Sequence, residues 1–106
     1  MPTPLGERVR ELRLKRGLTL EALAERVGSS KSYMWEIENK EVTRPSAEKL
    51  QQIALALETT TDYLLTTEAV TEADAADTAF FRKYQKMKPK GKERLREMLK
   101  ILDDED

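Results

Sequence analysis

The chain of 106 residues contains no cysteine and no histidine. Disulfide frameworks, zinc fingers, cysteine-ligated clusters and every triad that needs His or Cys are therefore excluded. Glycine and proline are sparse, at four each, and aromatic residues make up only 6%. No apolar run approaches the roughly 18 residues of a membrane span, and no apolar leader-like segment follows the start. A soluble, cytoplasmic protein is the expectation, with no membrane contact, no metal and no cofactor. Neither sign of charge is in excess: 19 Lys plus Arg face 20 Asp plus Glu, for a net charge of −1. Such a balance argues against a broad electrostatic grip on a polyanion. With 39% hydrophobic and 37% charged residues the chain is charge-rich yet apolar enough for a core. Its length suits one compact domain with a small appendage. Nowhere do apolar and polar residues alternate long enough for a strand, so the chain is expected to be all-α.

Charge distribution divides the chain. Residues 1–66 carry ten basic and ten acidic side chains, whereas in 67–106 the charges are blocked. Glu68, Glu72, Asp74 and Asp77 come first, then nine Lys/Arg from Arg82 to Lys100 interrupted by Glu93 and Glu97, then Asp103–Asp106. Thr66–Val70 has no helical apolar period and reads as a linker. Two parts are expected: a domain over 1–66 and a helical tail over 67–106.

The first part reads as five short helices. Thr3 and Pro4 suit a cap and first position, opening a helix to about Arg16 with Leu5, Val9 and Leu12 inward. Gly17 ends it. Thr19 caps a second helix whose Leu20, Leu23, Ala24 and Val27 follow the i, i+3, i+4, i+7 spacing. After Gly28, Ser29 or Ser30 caps a third, from Lys31 to about Asn39. Arg44-Pro45-Ser46 marks a turn and a new cap, and Leu50, Ile53, Ala54 and Leu57 line the fourth. Thr60 caps a short fifth, Thr61–Leu65, contributing Tyr63 and either Leu64 or Leu65.

The informative stretch is TLEALAERVGSSKSYMWEIEN, Thr19–Asn39. Two short helices around Gly28-Ser29-Ser30 form a helix-turn-helix, the glycine permitting the tight bend. On a wheel of 100° per residue, Lys31, Trp35, Asn39, Ser32 and Glu36 occupy an arc of about 140°, with Tyr33, Ile37 and Met34 opposite. One face is apolar and the other carries groups able to hydrogen-bond base edges, as a helix lying in a major groove requires. Helix geometry alone is equally satisfied by an amphipathic helix with a solvated polar face.

Residues 5–65 resemble the Cro/repressor (Xre-type) helix-turn-helix family of bacterial and phage transcription regulators. The pattern is LGERVRELRLKRGLTLEALAERVGSSKSYMWEIENK followed by RPSAEKLQQIALALETTTDYLL. Glycine turn, E-I-E-N helix end, R-P-S cap and D-Y-L-L close appear in order. The resemblance implies a five-helix repressor-like domain that binds double-stranded operator DNA, usually as a two-fold dimer. It assigns base contacts to Lys31, Ser32 and Glu36, with Trp35 beside them. Phosphate contacts are implied at Thr19, Ser30, Asn39, Lys40, Thr43 and Arg44. Lysine can donate to guanine O6/N7, glutamate can accept from cytosine N4, and serine pairs with several bases. Two positions depart from the common pattern. Leu20 stands where a polar residue is frequent, which removes a side-chain phosphate contact there. Trp35 stands where a small serine is frequent; its ring either presses on a thymine methyl or sugar edge, or lies back over the protein. The resemblance also implies an orienting ion pair between Arg13 and Glu38.

In the tail, Thr71-x-x-Asp74 resembles a capping box, and Ala73, Ala76, Phe80, Tyr84 and Met87 share one helical face. Lys88-Pro89-Lys90-Gly91 breaks the pattern, and Leu95, Met98, Leu99 and Leu102 form a second stripe. Two amphipathic helices of this size do not fold alone. Their apolar faces need the first domain, each other, a second subunit or another protein. A homodimer is the leading expectation, since a two-fold axis suits a palindromic site. The basic block is either a solvated helix face or a source of extra phosphate contacts. The expected function is a sequence-specific DNA-binding regulator, a repressor by preference. The alternative is an antitoxin or adaptor whose tail binds an effector or toxin protein, with DNA binding for autoregulation. No enzyme is expected: carboxylates are present, but no nucleophile or metal-ligand set accompanies them.

Overall fold

A computed structural model describes residues 3–41, 44–65 and 71–104. Every helix of the first part begins with a hydroxyl side chain that takes one of the free backbone N–H groups of the first turn. Thr3 accepts from the Gly6 N–H at 3.0 Å and opens α1, Pro4–Lys15. Thr19 accepts from Ala22 at 3.0 Å and opens α2, Leu20–Arg26. Ser30, not Ser29, accepts from Tyr33 at 3.1 Å and opens α3, Lys31–Asn39. Ser46 caps α4, Ala47–Ala56, through Lys49 at 3.1 Å, and Thr60 caps α5, Thr61–Leu65, through Tyr63 at 3.2 Å. Thr71 does the same for α6, Glu72–Gln85, through Asp74 at 3.0 Å. Only α7, Pro89–Asp103, lacks a side-chain cap bond, and there proline occupies the first turn. Among the described residues there is no strand, and the fold is all-α.

Helix ends are equally legible. Gly17 and Gly28 take positive φ (70° and 66°) after α1 and α2, and Glu58 does so (57°) after α4. At each end the next amide turns back onto the helix: Leu18 to Arg13, Ser29 to Ala24 and Thr59 to Ala54, at 2.8–3.0 Å. Long cations close further carbonyls. Lys49 donates to the Val27 carbonyl at 2.8 Å, Arg16 to Leu57 at 3.1 Å, Arg13 to Leu18 at 2.9 Å and Arg8 to Tyr63. Much of the basic charge of α1 thus serves the fold.

One core joins the five helices: Val9, Leu12, Leu23, Ala24, Val27, Met34, Ile37, Leu50, Ile53, Ala54, Leu57 and Leu64. Leu64, not Leu65, is the inward residue of α5, and Leu5 and Leu20 are only partly buried at the edge. α1 packs on α3 and α5, α2 on α3 and α4, and α4 on α5.

The tail is different. α6 packs on α5, its Ala75 is buried to 1% exposure, and Glu72 pairs with Lys15 of α1 at 2.8 Å. The stripe expected from sequence lies on the side of α6 opposite buried Ala75: Ala73, Phe80 and Met87 are exposed, and Ala76 and Tyr84 half-buried. Lys86–Lys88 form the bend, and Pro89 and Gly91 belong to α7 itself. No residue of α7 is buried. Lys92 and Arg96 lie 5.5 and 5.9 Å from the Tyr84 ring centroid and hold α7 to α6 by cation–π contact. The radius of gyration is 15.8 Å with extents of 48 × 29 × 23 Å. A compact chain of this length would give about 13 Å, so the tail projects. The expected linker, Thr66–Val70, and the end residues Glu105 and Asp106 lie outside the described residues.

Candidate nucleic-acid interface

α2 and α3 set the candidate surface. Val27 ends α2, Gly28 makes the left-handed turn, and Ser30 starts α3 two residues later. Lys49 of α4 ties the turn down through the Val27 carbonyl. On α3, Met34, Ile37 and Glu38 are buried and Tyr33 partly so. Lys31, Ser32 and Trp35 are exposed, while Glu36 and Asn39 are half-buried. Trp35 keeps 47% of its surface exposed. Trp35 lies one turn after Lys31 on the same face of α3.

The residues expected at phosphates divide by their present partners. Thr19 and Ser30 already accept a backbone N–H, and each retains its hydroxyl proton for a donor bond outward. Asn39 donates from Nδ2 to the Trp35 carbonyl at 2.9 Å, which leaves one amide hydrogen. Lys40 and Arg44 are exposed. Thr43 lies outside the described residues.

The angle of α3 is held from behind. Arg13 Nε donates to Glu38 Oε2 at 2.7 Å and Nη2 to Oε1 at 3.1 Å. The side chains are 11% and 1% exposed, so the pair is a bidentate one within the core edge. Gly6 adds a second constraint. A Cβ there would fall 2.6 Å from the Ile37 carbonyl oxygen and 2.8 Å from that of Glu38. α1 and the last turn of α3 therefore meet backbone to backbone. Sequence reasoning passed over Gly6, because a glycine inside a helix carries no periodic signal.

Nor did the sequence disclose that Lys31 has a partner. Its Nζ lies 3.5 Å from Glu21 Oε1, across an open groove of about 410 Å³ lined by Arg13, Thr19, Leu20, Glu21 and Lys31. Their separation of ten residues spans the turn and matches no intrahelical spacing.

Tail side chains form a separate exposed surface. Phe80, Met87, Met98, Leu99 and Leu102 are exposed, and Tyr84 and Leu95 half-buried. Phe81 and Ile101, which the stripes omit, are exposed as well. Among the described residues there is no cluster of three or more His, Cys, Asp and Glu that could hold a metal, and no helix long and apolar enough to cross a membrane.

Comparison with known proteins places this geometry. A helix-turn-helix domain family matches residues 6–70. The HTH-type transcriptional regulators SinR of Bacillus licheniformis and of Bacillus subtilis (strain 168) are each 34% identical over 70 residues. The aligned region covers 66% of this chain and 63% of each relative, so it spans less than two thirds of their length. SinR, the master regulator for biofilm formation, solved in complex with DNA, is 34% identical at a TM-score of 0.55, covering 58% of this chain and 98% of that one. The N-terminal DNA-binding domain of SinR from B. subtilis gives 32% and 0.56, covering 62% and 96%. A chain of the SinR protein/SinI protein complex covers 94% of this chain and 98% of its own at a TM-score of 0.57; at 23% identity it extends the likeness of fold into the tail. By its matched domain, its five capped helices and its α2-turn-α3 unit, this chain belongs to the Cro/repressor-type (Xre) helix-turn-helix family of transcription regulators.

Proposed function

We propose that the chain is a sequence-specific regulator of transcription, a repressor that occupies a palindromic operator in double-stranded DNA as a homodimer. The observation that carries this reading is the outer face of α3. Lys31, Ser32 and Trp35 are exposed there with Glu36 beside them, on a helix whose tilt is fixed by Arg13–Glu38 and by the Gly6 contact. Lys31 donates to guanine, Glu36 accepts from cytosine, Ser32 bonds either partner of a pair, and Trp35 covers a thymine methyl. Thr19, Ser30, Asn39, Lys40, Thr43 and Arg44 hold the flanking phosphates and fix the register. The similarity to SinR, solved in complex with DNA, supports DNA as the partner here. Such a protein works in the cytoplasm, on the nucleoid when bound, and performs no catalysis.

The 67–106 tail supplies the two-fold axis, through Phe80, Tyr84, Met87, Leu95, Met98, Leu99 and Leu102. It places two copies of α3 about 34 Å apart in successive major grooves. A second reading gives the same surface to an effector or toxin protein. It is favoured by the exposure of these side chains in the single chain and by the complex of SinR with the protein SinI.

Binding of the full chain to its own upstream promoter fragment and to scrambled DNA, over a salt series, tests the main reading. Selective retention with a steep salt slope is expected, because phosphate contacts release counterions. Equal weak binding to both fragments at all salts contradicts it. Lys31→Ala is expected to relax base preference, and Lys40→Ala to weaken binding to all sequences alike.

A further inference from the structure

We infer that Glu21 is a specificity-positioning residue: its carboxylate, 3.5 Å from the Lys31 ammonium, reserves that cation for a base edge and withholds it from the phosphate backbone. The inference rests on the base-reading role proposed for Lys31. Both side chains are largely exposed, at 75% for Glu21 and 60% for Lys31, so the pair adds little to folding. Its location gives it meaning. Glu21 is the second residue of α2 and Lys31 the first of α3, and both open on the groove that Thr19 and Leu20 also line.

The other close cations are committed elsewhere. Arg8, Arg13, Arg16 and Lys49 each donate to a main-chain carbonyl, and Arg13 also to a buried carboxylate. Lys31, exposed at the start of α3, is not bonded to the main chain in that way and has a carboxylate beside it. An ammonium alone would bind any phosphate within reach. Paired with Glu21 it is neutralised toward the backbone, and it leaves the carboxylate for an acceptor set that competes well, such as guanine O6 with N7. At a wrong base the paired O6/N7 acceptor set is missing, and the unrelieved carboxylate sits close to DNA phosphates. The penalty against the wrong partner sharpens the contrast between sites. Leu20, with no polar group to share this task, leaves it to the neighbouring Glu21.

The test uses the full chain and a duplex that it selects from a random library. The base pair read by Lys31 is the one whose preference Lys31→Ala abolishes. Glu21→Gln removes the charge while keeping shape and fold, the latter checked by an unchanged melting temperature. A single charge about 6 Å from a phosphate in a watery setting changes binding roughly threefold. Glu21→Gln is therefore expected to tighten binding to scrambled DNA about threefold and to steepen its salt dependence. The preference at the Lys31 pair is expected to shrink by a similar factor, and Glu21→Asp, which keeps the charge, to retain most of it. In a Lys31→Ala background Glu21→Gln is expected to leave the preference at that pair unchanged. An unaltered preference in Glu21→Gln, where Lys31→Ala does abolish it, overturns the inference alone. A chain that selects no duplex, or one in which Lys31→Ala affects no single pair, overturns the base-reading role and the inference with it.

Discussion

Arg13→Ala tests how the angle of α3 is held. Arg13 makes two bonds to the Glu38 carboxylate, at 2.7 and 3.1 Å, and a third to the Leu18 carbonyl at 2.9 Å. Glu38 is 1% exposed, so truncating its partner strands a carboxylate away from water. Breaking a buried pair in this way costs about 3–5 kcal/mol. That is a large part of the roughly 5–15 kcal/mol that holds a domain together. In urea, with an m-value of about 1.5–2 kcal/mol/M, the midpoint is expected to fall by about 2 M. Removing both charges is a different perturbation. Arg13→Met with Glu38→Leu leaves no buried charge unpaired and frees only the Leu18 carbonyl, and its stability is expected to equal or exceed that of the natural chain by roughly 0–4 kcal/mol. The two variants separate stability from orientation. The double variant folds but lacks the bidentate clamp, so its preference for a selected duplex over scrambled DNA is expected to fall although its unfolding midpoint does not. A loss of under about 1 kcal/mol in Arg13→Ala would refute the electrostatic argument, and an undiminished preference in the double variant would refute the orienting role.

Two further substitutions probe the backbone. Gly6→Ala brings a methyl group to 2.6 Å from the Ile37 carbonyl oxygen, so α1 and α3 must separate; a loss of about 1–3 kcal/mol, with weaker operator binding, is expected in thermal melting and DNA titration. An unchanged melting temperature would contradict the close approach. Glu58→Gly relieves a left-handed residue (φ 57°) at the end of α4. It also loses an exposed contact with Arg16 at 3.4 Å that contributes little. A net gain of about 0.5–1 kcal/mol is expected, visible as a rise of about 2–8 °C in melting temperature. A lower melting temperature would contradict it.

Much of the first part was legible because its signals are local. A hydroxyl residue one place before an apolar-periodic run marks a helix start, and glycine marks an end; Thr3, Thr19, Ser46, Thr60, Gly17 and Gly28 all act within a few residues. Where two candidates stood side by side, tertiary packing decided. Ser30 caps α3 because Ser29 is used in the turn, its amide closing on Ala24, and Leu64 is inward because α5 rests on α1 and α4. Less local features escaped. The apolar stripe of α6 was drawn through large Phe80 and Tyr84, with its partner left open, and it passed over small Ala75, which is the buried residue of that helix. Pro89 looked like a breaker and is a helix start, since proline serves both ends. Resemblance supplied Arg13 with Glu38, but Gly6 and the Glu21–Lys31 pair depend on how two helices meet, which no single-segment period encodes.

The central claim is that the outer face of α3 enters the DNA groove, and the chain carries its own reporter there. Trp35 is the single tryptophan, and 47% of its surface is exposed on that face. Its fluorescence, followed as a selected duplex and then a scrambled duplex are titrated at the same salt, reads the contact directly. The account predicts a saturable change in emission with the selected duplex, at two chains per duplex, and little change with scrambled DNA. Tight binding of the selected duplex with the Trp35 emission left unaltered would contradict it.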